Sequence, residues 1–145
     1  MAKEIWVRNH LTEEMEDSGQ ALLQRLDAQG LSVSSFYWLF DRESDSWKLC
    51  LVSPAHEELG PRELYAQILR ANSSLGERES VISLHDIAVV HPKDRIAVAL
   101  HRMIDTGDKT VARIRASQNY VDGMYVDDCL IYRSSPPATP GLAPS

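Results

Sequence analysis

Apolar positions are densest between residues 33 and 52, where the runs SFYWLF and WKLCLV flank the polar stretch DRESDS. Two such runs around a short polar loop predict a β-hairpin. Both faces of the first run are apolar over 36–40, which is typical of a central strand covered on both sides. In the second run, Trp47, Leu49 and Leu51 share one face. We interpret the aromatic cluster as core; a platform for an aromatic ligand is the alternative.

Helical spacing of apolar residues appears in three segments. Over 12–29, leucines recur at helical spacing, Thr12 suits the N-cap and Gly30 suits the C-terminal stop. Gly60-Pro61 is expected to open a second helix, because proline favours the first helical position. Pro92 is expected to open a third helix over 92–104 for the same reason.

The remaining strands are predicted at about 3–8, 82–90, 109–117 and 124–133, the last two joined by the turn-rich QNYVDG. The order β-α-β-β-α-β, then α-β-β, predicts one α+β domain with about five mostly antiparallel strands and three helices. The first six elements have the connectivity of a ferredoxin-like split βαβ unit. One mixed or antiparallel sheet with its helices gathered on one face is the alternative.

The composition changes sharply after the last predicted strand. Residues 134–145, SSPPATPGLAPS, contain four prolines in twelve positions. Such a segment cannot bury enough apolar surface to fold. We therefore expect a single domain over 1–133 and a Pro-rich flexible tail over 134–145, which could act as a linker or a peptide ligand.

We expect a cytoplasmic protein. The chain of 145 residues begins with a charged segment unlike a signal peptide, and no apolar run approaches the roughly 20 residues that span a membrane. Cys50 and Cys129 lack metal-binding spacing and are predicted to be buried thiols. The net charge of −6 argues against a dedicated nucleic-acid binder. Residues 91–117 nevertheless hold six Lys or Arg against three Asp, a local charge of +3.

The final hairpin carries the best grouping of charged residues. With a turn centred near Val121, Arg115 would lie opposite Asp127, and Arg113 would be diagonal to it. Guanidinium groups arranged in this way can clamp a phosphate or carboxylate. The favoured alternative is a cross-strand salt bridge on a solvated face, worth about 0–1 kcal/mol.

His101 and Asp105, four positions apart on the third predicted helix, form a second grouping. As a catalytic pair they would be a histidine oriented by a carboxylate, but no nucleophile is identifiable beside them. As a metal site they would need a third ligand from His85, Asp86 or His91, whose placement the sequence does not fix. A surface pair is the favoured interpretation.

His91, Lys93 and Arg95 surround the expected junction between a strand and the third helix. Backbone N–H groups at such a junction can bind an anion. The chain has no Gly-rich phosphate loop, however, so the simpler interpretation is that Pro92 only begins a helix.

No motif of a known enzyme class is present: the chain has no GxSxG, HExxH, CxxC or Walker sequence. We therefore expect a small accessory or protein-interaction domain without catalytic activity, binding a protein partner or a second copy. An enzyme with an anionic-ligand pocket between helix 92–104 and hairpin 109–133 is one alternative. An auxiliary nucleic-acid binder using 91–117 is the other. No catalytic residue, metal or cofactor is assigned, and the candidate ligand-binding residues are His91, Lys93, Arg95, His101, Arg113, Arg115 and Asp127.

Overall fold

Helices and strands alternate along the chain in nearly the predicted order. The computed structural model describes residues 3–5, 9–75, 80–121 and 123–137. The helices are α1 (Glu13–Ala28), α2 (His56–Ser73) and α3 (Arg95–Met103), with a 3₁₀ turn at Leu84–Asp86. The strands are β1 (Lys3–Ile5), β2 (Ser35–Asp41), β3 (Ser46–Val52), β4 (Ser80–Ile82), β5 (Ile87–Val89), β6 (Ile114–Val121) and β7 (Met124–Ser134).

Five of these strands form the main sheet, in the order β5-β3-β2-β7-β6. Its neighbouring strands are antiparallel except for β3 and β5, which are parallel. The prediction of an α+β domain with three helices and a mostly antiparallel five-stranded sheet is confirmed. Strands β1 and β4 pair with each other in a separate two-stranded parallel sheet. The ferredoxin-like connectivity is therefore not confirmed.

Strand β2 is central, and both of its faces are covered. Phe36 and Trp38 pack in a core built with α1 and α2. Tyr37, on the other face, packs in a second core with Ala97 and Leu100 of α3. The apolar character of both faces of β2 predicted this arrangement. The alternative with all helices on one face is wrong, because α3 lies across the sheet from α1 and α2.

The helix ends show which capping groups act. Thr12 caps α1 as predicted, its Oγ1 accepting a hydrogen bond from the Met15 N–H at 3.1 Å. Within α2, Gly60 has a non-helical backbone (φ 78°, ψ 162°), so a short first turn precedes it and the main helix starts at Pro61, as predicted. Helix α3 begins after Pro92, because the Asp94 carboxylate caps the N–H groups of the first turn. None of the helices in the described part of the chain is long and apolar enough to cross a membrane.

The strand predictions need three corrections. The predicted strand over 82–90 is two short strands, β4 and β5, separated by the 3₁₀ turn. In the last hairpin, β6 starts later than predicted, at Ile114, and Val121 pairs with Met124. Strand β7 extends to Ser134, and the Ser135 hydroxyl donates to the Ser34 carbonyl oxygen at 2.8 Å. Residues 138–145 lie outside the described residues, so the flexible tail stays a prediction.

Candidate functional site

The register of the last hairpin decides which charged residues meet. Arg115 lies opposite Leu130, and Ser117 lies opposite Asp128. The predicted pairing of Arg115 with Asp127 is wrong, because the pairing of β6 with β7 is shifted by three residues from the assumed register. Asp128 shares a face with Arg115, and the Arg115 Nε donates to Asp128 Oδ1 at 2.6 Å while Nη2 donates to Oδ2. Asp127 points to the other face.

This two-pronged contact has a clear electrostatic effect. Burial acts to raise the pKa of Asp128, but the hydrogen bonds from Arg115 and Ser117 outweigh it and lower the pKa below its usual value. The hydrogen bond to Asp128 also raises the pKa of Arg115. A guanidinium held in this way is satisfied by the protein itself, as the salt-bridge alternative expected.

Arg113 is likewise engaged within the protein. Its Nη2 donates to Asp17 Oδ1 at 2.8 Å, and its Nε donates to Gln20 Oε1 at 2.9 Å. Both partners belong to α1, so Arg113 ties the edge of the sheet to that helix. Arg113 and Arg115 thus lie on the face opposite α3, and the structure does not bring them together with His101.

The other predicted site residues are dispersed around the start of α3. Lys93 and Arg95 are exposed, and His101 is half-buried further along the helix. His91 faces α2 instead: its Nε2 lies 2.7 Å from Glu57 Oε1, and its Nδ1 accepts a hydrogen bond from the Lys93 backbone N–H at 3.0 Å.

A cluster of two imidazoles and a carboxylate results from this contact. The candidate ligand atoms of His56, Glu57 and His91 all lie within 4.8 Å of one another. The rings of His56 and His91 meet edge to face, with centroids 4.8 Å apart. His56 and Glu57 were not among the predicted site residues, because Glu57 and His91 are 34 positions apart and no local spacing links them. Within the described residues, no group of three potential metal ligands contains His101 or Asp105.

A cleft of about 460 Å³ is lined by residues at the end of β2, by residues of β3, β5 and β7, and by Ile96 of α3. Helix 92–104 contributes only Ile96 to this lining and hairpin 109–133 only residues 125–127, so a pocket between those two elements stays a prediction. Of the seven predicted site residues, Asp127 lines the cleft and the other six do not. The lining residues are Leu39, Phe40, Asp41, Arg42, Lys48, Cys50, Ala88, Ile96, Tyr125, Val126 and Asp127.

The charged groups around this cleft are engaged by neighbouring protein atoms. Arg42 Nε donates to Asp127 Oδ2 at 3.1 Å. Lys48 Nζ donates to the His85 carbonyl oxygen at 2.6 Å, and Asp41 accepts hydrogen bonds from the loop that follows it. Cys50 is the one cysteine in the lining, and burial, with a smaller contribution from the nearby Asp94 charge, raises its pKa to about 12. The thiol is therefore protonated and unreactive at neutral pH.

Two tyrosines mark the tip of the last hairpin, beside the cleft. Tyr120 is 72% exposed and Tyr125 is 44% exposed, and their rings meet edge to face at 5.3 Å. The Arg42 guanidinium lies over the Tyr125 ring, 5.6 Å from its centroid. We call Arg42, Tyr120 and Tyr125 the aromatic tip. Both tyrosines lie next to the predicted turn in the sequence. Their contact with each other and with Arg42 depends on the register of the hairpin, which the sequence does not fix.

No family model, curated protein or solved structure matches this chain. The function is therefore inferred from the geometry of its own residues.

Proposed function

We propose that this chain is a protein-interaction domain without catalytic activity, and that it binds a protein partner through the aromatic tip and the adjoining cleft. The observation that carries the proposal is the exposed pair of tyrosines at the tip, with Arg42 stacked on one of them. Tyrosine and arginine are the residue types most enriched at the energetic centres of protein interfaces.

The side chains of the aromatic tip contact one another in the free chain. Each tyrosine ring is packed against its neighbour, and Arg42 is fixed by Asp127 as well as by the Tyr125 ring. Side chains that are already ordered lose little conformational entropy on association. The tip can therefore present a large apolar contact area at low entropic cost.

The cleft supplies the second half of the surface. Leu39, Ala88, Ile96 and Val126 give it an apolar lining, and Tyr125 and Arg42 belong both to its wall and to the aromatic tip. A partner side chain of apolar character would gain roughly 25 cal/mol for each Å² buried here. The two features are continuous, so a single protein surface can cover both.

The enzyme alternative would use the same cleft but finds less support there. A small polar substrate needs convergent polar groups that are free to orient it. Asp127 is paired with Arg42, Lys48 donates to a backbone carbonyl, and the described lining contains no histidine. The nucleic-acid alternative is weakened by Arg113 and Arg115, because acidic side chains already bind both guanidinium groups.

Site-specific photo-crosslinking tests the proposal in the native cells. A photoreactive phenylalanine replaces Tyr120 in one version of the chain and Leu69 in another. Leu69 is a matched control because it is a large apolar side chain, 52% exposed, on α2. We expect a defined protein adduct from position 120 and none from position 69. The Tyr125→Ala substitution should reduce that adduct severalfold.

The same experiment separates the kinds of partner. An adduct of twice the chain mass identifies a second copy, and sedimentation should then show a dimer that Tyr120→Ala with Tyr125→Ala dissociates. An adduct with another protein identifies a heterologous partner. Equal adducts from positions 69 and 120, or no adduct from position 120, would overturn the proposal.

A further inference from the structure

We propose that His56, Glu57 and His91 form a binding site for one divalent transition-metal ion of the zinc class. This site is separate from the aromatic tip and does not rest on the function proposed above. Its three potential ligand atoms lie within 4.8 Å of one another and come from two parts of the chain, the first turn of α2 and the segment between β5 and α3.

The types of ligand select the class of metal. Two imidazole nitrogens and one carboxylate oxygen suit Zn²⁺ and its neighbours in the first transition row, whereas Mg²⁺ and Ca²⁺ prefer oxygen ligands alone. Three protein ligands leave a fourth tetrahedral position for water or for an atom of a bound partner. The site is thus of the open kind.

The distances are compatible with metal binding after a small adjustment. Zinc bonds of about 2.0–2.1 Å place neighbouring ligand atoms about 3.3 Å apart. His91 Nε2 and Glu57 Oε1 are already at 2.7 Å, and the remaining separations reach at most 4.8 Å. His56 and His91 are half-buried and Glu57 is exposed, so their side chains can close on an ion without disturbing the core.

The hydrogen bonds of His91 define what the metal would change. Nδ1 accepts the Lys93 N–H, so in the neutral ring Nε2 carries the hydrogen and donates it to Glu57. A metal on Nε2 requires the other tautomer, in which the hydrogen moves to Nδ1. The Lys93 N–H then gives up its hydrogen bond to the ring, and water can replace it because this turn is exposed.

The residues that flank the ligands in the chain carry charges of both signs, since Lys93 and Arg95 follow His91. Glu57 supplies one negative charge to the site, and Glu58 follows it in the chain. The kink at Gly60 separates this turn from the rest of α2, so the turn carries little of the positive potential found at the start of a long helix.

Calorimetric titration of the metal-free full chain with ZnCl₂ tests the site. We expect saturable binding of one ion per chain. His56→Ala, Glu57→Gln and His91→Ala should each weaken the binding at least about tenfold, the typical effect of losing even an outer-shell partner. The controls are His85→Ala and His101→Ala, which should leave the affinity unchanged. These two variants also test the alternative metal site that the sequence suggested, with His101 and a third ligand such as His85.

Cobalt spectroscopy supplies an independent readout. Bound Co²⁺ should give the visible absorption of a site with nitrogen and oxygen ligands, without the near-ultraviolet band of thiolate coordination from Cys50 or Cys129. Far-ultraviolet circular dichroism checks that each variant is folded, and asparagine at the same position, His56→Asn or His91→Asn, replaces an alanine variant that is not. The proposal would be overturned by an absence of saturable binding, by a thiolate band, or by a loss of affinity in His101→Ala equal to that in the ligand variants. The contact between His91 and Glu57 would then be an ion pair only.

Discussion

Arg133 and Asp27 form a two-pronged ion pair that joins the end of β7 to the end of α1. Nη1 and Nη2 of Arg133 donate to Oδ1 and Oδ2 of Asp27 at 2.9 and 2.8 Å. Arg133 is only 1% exposed, and it also donates to the carbonyl oxygens of Thr110 and Val33. A guanidinium buried to this degree depends on its partners, because an unpaired charge in the interior is costly.

Substitution Asp27→Asn should therefore destabilise the fold. We expect the free energy of unfolding to fall by about 3 kcal/mol. This is the lower end of the range for breaking a buried ion pair, because the Asp27 side chain is itself 36% exposed. Urea unfolding followed by circular dichroism measures the change.

Asp17→Asn is the matched control, on the same helix and also paired with an arginine. Since Asp17 is exposed and binds Arg113 at the surface, its substitution should cost no more than about 1 kcal/mol. Equal losses in the two variants would show that burial of Arg133 does not determine the strength of its pair.

Gly19→Ala should destabilise the protein, although the same change inside a helix usually stabilises it by roughly 0.5–1 kcal/mol. A Cβ at position 19 would lie 2.3 Å from the hydroxyl oxygen of Tyr132. That hydroxyl donates to the Glu16 carbonyl oxygen at 2.6 Å and accepts from the Trp38 indole N–H at 3.0 Å. Moving the ring breaks both bonds, and we expect a net loss of about 1–3 kcal/mol.

A double-mutant cycle with Tyr132→Phe isolates this contact. Removing the hydroxyl relieves the shortest clash, so the double variant should be less destabilised than the sum of the two single variants. Thermal and urea unfolding of the four proteins measure the coupling. Simple additivity would indicate that Gly19 is required for a reason other than its approach to Tyr132.

The ion pair of Arg115 and Asp128 should make stability depend on pH in the acid range. The pKa of Asp128 is lower in the folded protein than in the unfolded chain, where a free aspartate titrates near about 3.9. Its contribution is therefore fully present above about pH 4 and is lost as the pH falls through the lower folded value.

Comparison of wild type with Asp128→Asn checks this sign. The difference in unfolding free energy should be constant from about pH 7 to 5, at most about 1 kcal/mol because Arg115 is half-exposed, and should shrink below about pH 4. A difference that grows on acidification would contradict the assignment.

Both cysteines should resist thiol reagents in the folded protein. Burial raises the pKa of Cys50 to about 12 and, aided by the Asp128 charge, that of Cys129 to about 11. Since the thiolate is the reactive form, labelling at pH 8 should be slow for the native chain and complete for both thiols in concentrated urea. Rapid labelling of one native thiol would show that local opening exposes it.

The central hairpin and the first helix could be predicted because their causes are local. The apolar positions on both faces of β2, the capping hydroxyl of Thr12 and the left-handed conformation of Gly30 depend on near neighbours in the chain. The predicted start of α3 at Pro92 is wrong, although both Pro92 and Asp94 are residues that favour a helix start. The helix begins after Asp94, because its carboxylate accepts hydrogen bonds from N–H groups of the first turn.

The candidate sites could not be assembled from the sequence. Of the seven predicted site residues only Asp127 lines the cleft, and a register error of three residues exchanged Asp128 for Asp127 as the partner of Arg115. The domain was also predicted to end at Arg133, and nothing in the sequence indicated that this residue forms a buried ion pair with Asp27. A bulge in β7 opposite Phe36 and Tyr37 interrupts strict alternation, so Tyr132 and Arg133 both reach α1.

The amino-acid sequence by itself determined the kinds and order of the elements, because hydrophobic periodicity and capping act over a few residues. Tertiary structure decided which faces pack together, where Arg133 is buried, and which side chains gather at the aromatic tip and around His91. Those contacts join residues distant in the chain, and a turn or bulge that shifts a strand by one residue changes the face of every side chain after it. No local pattern encodes that choice.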